Sequence, residues 1–273
     1  MQRRDLLGGA ARTLGVMALG GLGAAGRAAG APRPESQAAS GSGVALAADG
    51  AAGTGGSALG LAPELQTALE VCTPRDALTR LQEGNARFAA AWTRASGLAS
   101  AQERMAALQT IWGQNCQIDP HALAEGQRPF AALLSCADSR VDPAWLFACG
   151  SGELFEVRSA GNTAFSEAIG SLEYAVSVLG VPLLLVLGHS GCGGVRAARG
   201  SAPLTPMLEQ LVAPIRATLV SGDDLNQAVQ RNARLVADQL AARSPVITEA
   251  IGAGRLSLRS AYCDIASGRV MLL

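Results

Sequence analysis

The apolar positions of this chain follow two rhythms. Residues 181–187 form an almost unbroken apolar run, Val-Pro-Leu-Leu-Leu-Val-Leu, and shorter runs cover 131–134 and 154–157. Runs of that length without alternation predict strands buried on both faces of a parallel sheet. Between them the spacing becomes helical: Ile169, Leu172, Tyr174, Val176 and Val178 predict a helix over 166–179, stopped by Gly180. Similar spacing predicts helices over 207–220 and 225–242 and a helical turn over 143–149. Residues 257–265 and 269–273 flank Ser267-Gly268 and predict a closing hairpin. Upstream, residues 63–70 and 100–112 are helical in pattern. Thr73-Pro74 reads as an N-cap followed by Pro at the first helical position. That helix carries Ala77, Leu78, Leu81 and Phe88 on one side, with Gly84-Asn85 as an interruption. The alternation predicts an α/β fold, a mainly parallel central sheet flanked by helices. It would have N-terminal helices and an antiparallel C-terminal edge strand.

The N-terminal quarter follows neither rhythm. Arg3-Arg4 before a weakly apolar stretch over 14–25 resembles a twin-arginine export signal, assigned to 1–31. The stretch is too short and Gly-rich for a membrane span. Residues 32–62 are Ala, Gly and Ser with few bulky side chains, the composition of a disordered linker. The folded domain is then 63–273. Formal net charge is zero, and all 22 basic residues are Arg with no basic block, which argues against nucleic acid as a partner. Six irregularly spaced Cys in a domain of this size do not form a disulfide framework.

Two stretches carry the chemistry. Residues 133–140 read Leu-Leu-Ser-Cys-Ala-Asp-Ser-Arg, at the end of a predicted strand. If the chain stays extended, Cys136, Asp138 and Arg140 point to one side. Residues 188–194, Gly-His-Ser-Gly-Cys-Gly-Gly, follow the clearest strand. Sites in open α/β sheets form beyond the carboxyl ends of strands, so the fold has a reason to bring both together. Cys136, His189 and Cys192 then match a catalytic zinc set with one open position. A helix N-terminus would lower the Cys192 pKa, and the glycines allow the bend. Gly-His-Ser also resembles a hydrolase nucleophile elbow with Ser190 as nucleophile. That reading fails, because Cys192 stands where Gly is needed and no His lies downstream. A Cys136–Cys192 disulfide leaves His189, Asp138 and Arg140 without a role. Cys116 and His121 have no neighbour at ligand spacing and read as structural.

The segment from Ser135 to Val141, with that from Gly188 to Gly194, resembles the β-class carbonic anhydrases. The likeness runs from residues 81–88 to 261–270 and takes in Gly126-Gln127 and residues 154–162. It implies one zinc per chain on Cys136, His189 and Cys192, beside a catalytic Asp138–Arg140 dyad. Asp138 is also a possible fourth ligand in a closed state. It implies a substrate pocket of Gln127, Phe155, Tyr174 and Gly193. The reaction would be reversible hydration of carbon dioxide to bicarbonate and a proton, by zinc-bound hydroxide. The assembly would be a homodimer or a dimer of dimers. Alternatives are a zinc hydrolase of another small linear substrate of the carbon disulfide type, or a catalytically silent zinc or bicarbonate binder. Ser159, Asp142 and Cys149 depart from the family pattern without removing a ligand or dyad member. Leu133 stands where bicarbonate-inhibited members carry Trp, so that regulation is not expected.

Twin-arginine systems move folded proteins, so zinc would load before export to the periplasm, or to the thylakoid lumen in a photosynthetic host. A reporter fused to residues 1–62 should leave the cytosol, and replacing Arg3 and Arg4 by Lys should retain it. Cell fractionation checks this, and a cytosolic reporter with both arginines intact rules the signal out.

Overall fold

The long apolar runs become the centre of a sheet because both of their faces are covered. A computed structural model describes residues 76–111 and 120–273. The expected signal, linker, first helix, Thr73-Pro74 cap and Cys116 lie outside those residues. Described elements are Ala77–Ser96 (α1), Ala101–Gln109 (α2), Pro120–Glu125 (α3) and Ala131–Ser135 (β1). Pro143–Leu146 (α4), Leu154–Arg158 (β2), a 3-10 turn Ala160–Asn162 and Ser166–Ser177 (α5) follow. Then come Leu183–His189 (β3), Gly193–Arg199 (α6), Pro206–Arg216 (α7) and Leu225–Arg243 (α8). Pro245–Gly252 (α9), Ser257–Asp264 (β4) and Arg269–Leu272 (β5) close the chain.

The sheet order is β2-β1-β3-β4-β5, parallel except for the antiparallel β4–β5 pair. This is the predicted α/β architecture, closing hairpin included. Alternate residues of β1 and β3 feed two cores. Leu133, Leu183, Leu185 and Leu187 pack with Leu81, Phe88 and Leu146. Ala132, Leu134, Leu184 and Val186 pack with Leu172, Val236, Leu240 and Ile247. Each fully buried Leu contributes about 2 kcal/mol, so these central strands are the least movable part of the domain.

Several boundaries differ from the pattern. β3 starts after Pro182, which has no N–H for the ladder, although its carbonyl accepts from Ser257 N at 2.9 Å. It runs on through Gly188 and His189 because these pair with Tyr262 and Cys263 of β4. Gly84-Asn85 does not interrupt α1 but docks it. A Cβ at Gly84 would lie 1.8 Å from the Phe147 carbonyl oxygen. The buried Asn85 amide donates to Leu146 O at 3.1 Å and Gly268 O at 2.9 Å, and accepts from Val270 N at 2.9 Å. α9 was not visible in the apolar spacing. Its start is marked by Ser244, whose hydroxyl accepts from Ile247 N, followed by Pro245 in the first turn.

The described start of α1 is capped by Asp76, which accepts from Leu78 N at 3.0 Å and Thr79 N at 3.3 Å. The Thr79 hydroxyl holds the Asp76 carboxyl below its ordinary pKa of 3.8, and backbone donors add to this. A lowered folded-state pKa stabilises above the unfolded value and is lost as pH falls through the folded one. Asp76→Ala should therefore lower the urea midpoint at pH 7, and the gap to wild type should close as pH drops below about 4. Urea titrations across that range check both the sign and the window.

Candidate metal centre

The parallel pairing of β1 with β3 brings the two motifs together. Ser135 is level with Leu187, so Cys136 leaves β1 beside the end of β3, where His189 sits. Gly191 then turns the chain at φ +66°, a left-handed value that a side chain would strain. Cys192 follows as the N-cap residue of α6. The Sγ atoms of Cys136 and Cys192 and a ring nitrogen of His189 lie within 4.8 Å of one another, all buried.

The chemistry of this trio suits a metal. The His189 Nδ1 atom lies 3.1 Å from the Ser190 carbonyl oxygen, so it donates there. The buried Nε2 has no hydrogen-bond partner. A buried orphan ring nitrogen is costly unless it binds something. The two sulfurs are 3.9 Å apart and both thiols are free. Ligand sulfurs held at the usual zinc distance and the tetrahedral angle would be about 3.8 Å apart. The donor set and the spacing therefore fit zinc, and the disulfide alternative does not describe the pair.

Without metal the two thiols compete for one negative charge. Cys136 is pulled down, first by its hydrogen bond with Cys192 and then by His189 and the Gly161 N–H. That N–H lies 3.2 Å from Cys136 Sγ. Cys192 is pushed up, chiefly because the Cys136 thiolate sits beside it. The Gly194 and Val195 N–H groups at the start of α6 oppose that rise, the direction expected of a helix N-terminus. Burial pushes Cys149 and Cys263 up to about 12, which keeps them neutral.

Asp138 and Arg140 do not lie on an extended strand. β1 ends at Ser135 and the chain turns, with Val141 N donating to the Asp138 carbonyl at 3.1 Å. The turn nevertheless pairs the two side chains: Arg140 Nε to Asp138 Oδ1 at 2.9 Å and Arg140 Nη2 to Oδ2 at 2.7 Å. Asp138 Oδ2 is 3.8 Å from His189 Nε2. The Arg140 guanidinium holds the carboxyl well below the usual carboxylate range.

Sequence reasoning missed the groups that hold this turn. Arg158 of β2 donates to three carbonyls, Cys136 at 3.2 Å, Asp138 at 2.9 Å and Val141 at 2.7 Å. Gly161, at φ +68°, lets its N–H reach Cys136, and a Cβ there would lie 2.4 Å from Ile215 Cδ1. The buried Asn232 amide fixes the Gly161 carbonyl at 3.0 Å. The stretch Arg158-Ser-Ala-Gly161-Asn162 was visible as a motif, but its role needed the fold. The other expected site residues are elsewhere. Phe155 pairs with Ala132, at the opposite end of β1 from Cys136. Its ring lies 6.2 Å from the Tyr174 ring. Gln127 is exposed ahead of β1, and the apolar shell around the two cysteines includes neither Phe155 nor Tyr174. Gly193 opens α6 with free space beside its Cα. His121 is exposed on α3 and outside the trio.

A family model described as carbonic anhydrase matches residues 131–270, which covers β1, the trio and the closing hairpin. The chain belongs to the β-carbonic anhydrase family. Carbonic anhydrase 2 of Mycobacterium tuberculosis is 38% identical over 160 residues, covering 55% of this chain and 77% of that protein. The carbonic anhydrase of Pseudomonas aeruginosa is 36% identical over 169 residues, covering 55% and 75%. Among solved structures, the Coccomyxa β-carbonic anhydrase in complex with acetazolamide matches with TM-score 0.52 at 27% identity, over 63% of this chain and 81% of that one. A tetrameric β-carbonic anhydrase of Sordaria macrospora shares the fold at 24% identity and TM-score 0.52, over 63% and 93%. β-Carbonic anhydrases are zinc enzymes, and the Cys-His-Cys trio is the described cluster able to hold that ion.

The purified chain should carry one zinc, and Cys136→Ser should lose nearly all of it while keeping its far-ultraviolet circular dichroism. Metal analysis by plasma mass spectrometry reads the stoichiometry. Full zinc retention in the variant would remove Cys136 from the ligand set.

Proposed function

We propose that this chain catalyses the reversible hydration of carbon dioxide to bicarbonate and a proton, with zinc on Cys136, His189 and Cys192. The observation that carries this reading is a buried, unpartnered His189 Nε2 facing two thiols, with an Arg-held carboxylate 3.8 Å away. Bound zinc supplies an activated water near neutral pH. With zinc held there, Asp138 would accept a hydrogen bond from that water and orient it. Arg140 donates to both carboxylate oxygens and keeps the group ionised, so it remains an acceptor. Val195, Ile215, Val229 and Tyr262 pack around the two cysteines and exclude bulk water, which strengthens each of these interactions.

A second copy of the chain completes the pocket. Phe155 and Tyr174 sit on and beside β2, which is an open edge of the sheet. Within one chain they lie toward the other end of β1, so a partner supplies them in a homodimer or a dimer of dimers. No helix among the described residues is long and apolar enough to cross a membrane. The Arg3-Arg4 pattern supports export to the periplasm.

Asp138→Asn keeps the shape of the side chain but removes an ionised acceptor. Stopped-flow carbon dioxide hydration should fall by about 10- to 100-fold, the usual cost of removing a group that orients a metal centre. Zinc content should be unchanged. A zinc-loaded wild type that hydrates no carbon dioxide would overturn the reading, and a carbon disulfide assay would then test the related hydrolase.

A further inference from the structure

Ser190 lies between two ligands, and its hydroxyl is engaged without being a nucleophile. Its backbone N–H donates to the Cys263 carbonyl at 2.8 Å. Its Oγ accepts from Ile265 N–H at 2.9 Å. The Tyr262 phenol and the Asp264 carboxylate also interact with the same hydroxyl. A hydroxyl offers one proton and two lone pairs. Accepting from Ile265 leaves its one proton for a neighbouring acceptor. Asp264 is itself held in place, by the Ser267 hydroxyl at 2.6 Å and by the Ala266 and Ser267 N–H groups at 3.3 Å. Ser190 is thereby tied to the carboxyl end of β4 through both backbone and side chain.

The atom this tether positions is the Ser190 carbonyl oxygen, which faces His189 Nδ1 at 3.1 Å. An acceptor there places the ring proton on Nδ1 and leaves the Nε2 lone pair free to bind. On the other side of Ser190 comes Gly191 at φ +66°, whose carbonyl accepts from Arg140 Nη2 at 3.4 Å. Tyr262 reaches the same site from the core, packed in the apolar cluster that holds Cys136 and Cys192.

We propose that Ser190 is a positioning residue: its hydroxyl, anchored by the Ile265 N–H, fixes the carbonyl that sets the His189 tautomer for metal binding. This rests on the zinc reading of the trio. The effect on the ring is local, so it is measurable both with and without zinc.

The test uses the full-length chain with Ser190→Ala, Ser190→Thr and Asp264→Asn. Zinc affinity is measured by chelator competition. The His189 tautomer is read from nitrogen-15 shifts after zinc removal, in a protein with only two histidines. Ser190→Ala should weaken zinc binding by about 10- to 100-fold and populate the Nε2–H tautomer. Ser190→Thr keeps the hydroxyl and should restore both readouts. Asp264→Asn should shift both in the same direction by less, and it carries the test if Ser190→Ala does not fold. Wild-type affinity and tautomer in Ser190→Ala overturn the proposal. So does a Thr variant as defective as the Ala variant, which would make the effect one of general stability. A wild type that binds no zinc but keeps the Nδ1–H tautomer refutes the zinc reading instead.

Discussion

The parallel pairing of β1 with β3 at the middle of the sheet is the constraint on which the site depends. Two buried strands running the same way must end on the same side, and each ends in a residue with a metal-binding side chain close by. Leu133, Leu134, Leu184, Leu185, Val186 and Leu187 have almost no contact with water, so the ends of these strands cannot slide relative to one another. A one-residue slip would turn every side chain of a strand to the opposite core. Register is therefore specified by burial, and register places Cys136 near His189.

Burial creates the second requirement. Thiols, an imidazole and a carboxylate at the edge of an apolar core are costly without partners. The Arg140 side chain pairs the Asp138 carboxylate, while backbone groups serve Cys136 and His189. Gly161 and Ser190 supply a donor for Cys136 and an acceptor for His189. Arg158 gathers the carbonyls of the Cys136–Val141 turn. His189 Nε2 is left without a hydrogen-bond partner, as are Ser135 Oγ and the Asn162 amide nearby; among them the ring nitrogen is the one that faces two thiols and that a metal would satisfy.

Much of this was legible in the chain. The aliphatic runs, the glycine stops and the Ser267-Gly268 turn marked the α/β fold, because buried parallel strands and helix ends impose strong local patterns. Cys136, His189 and Cys192 were legible as a set because they follow such runs. Other features were hidden for identifiable reasons. Gly84-Asn85 looked like a break because its partners, Phe147, Leu146, Gly268 and Val270, are remote in the chain. The Asp138–Arg140 pair was expected on an extended strand and is made by a turn, since pairing to neighbouring strands ends at Ser135.

Hydrophobic period, capping residues and glycine positions act over a few neighbours, and they were enough to specify the elements, their order and the identity of the donor atoms. Distances between donors are another matter. Whether two sulfurs come within 3.9 Å, which ring nitrogen is left free, and which arginine grips the ligand turn depend on how separate strands align once they are buried together. Ser190 shows the division most clearly. In the chain it was a failed nucleophile, and only β4, folded against β3, supplies the partners that give its hydroxyl a purpose.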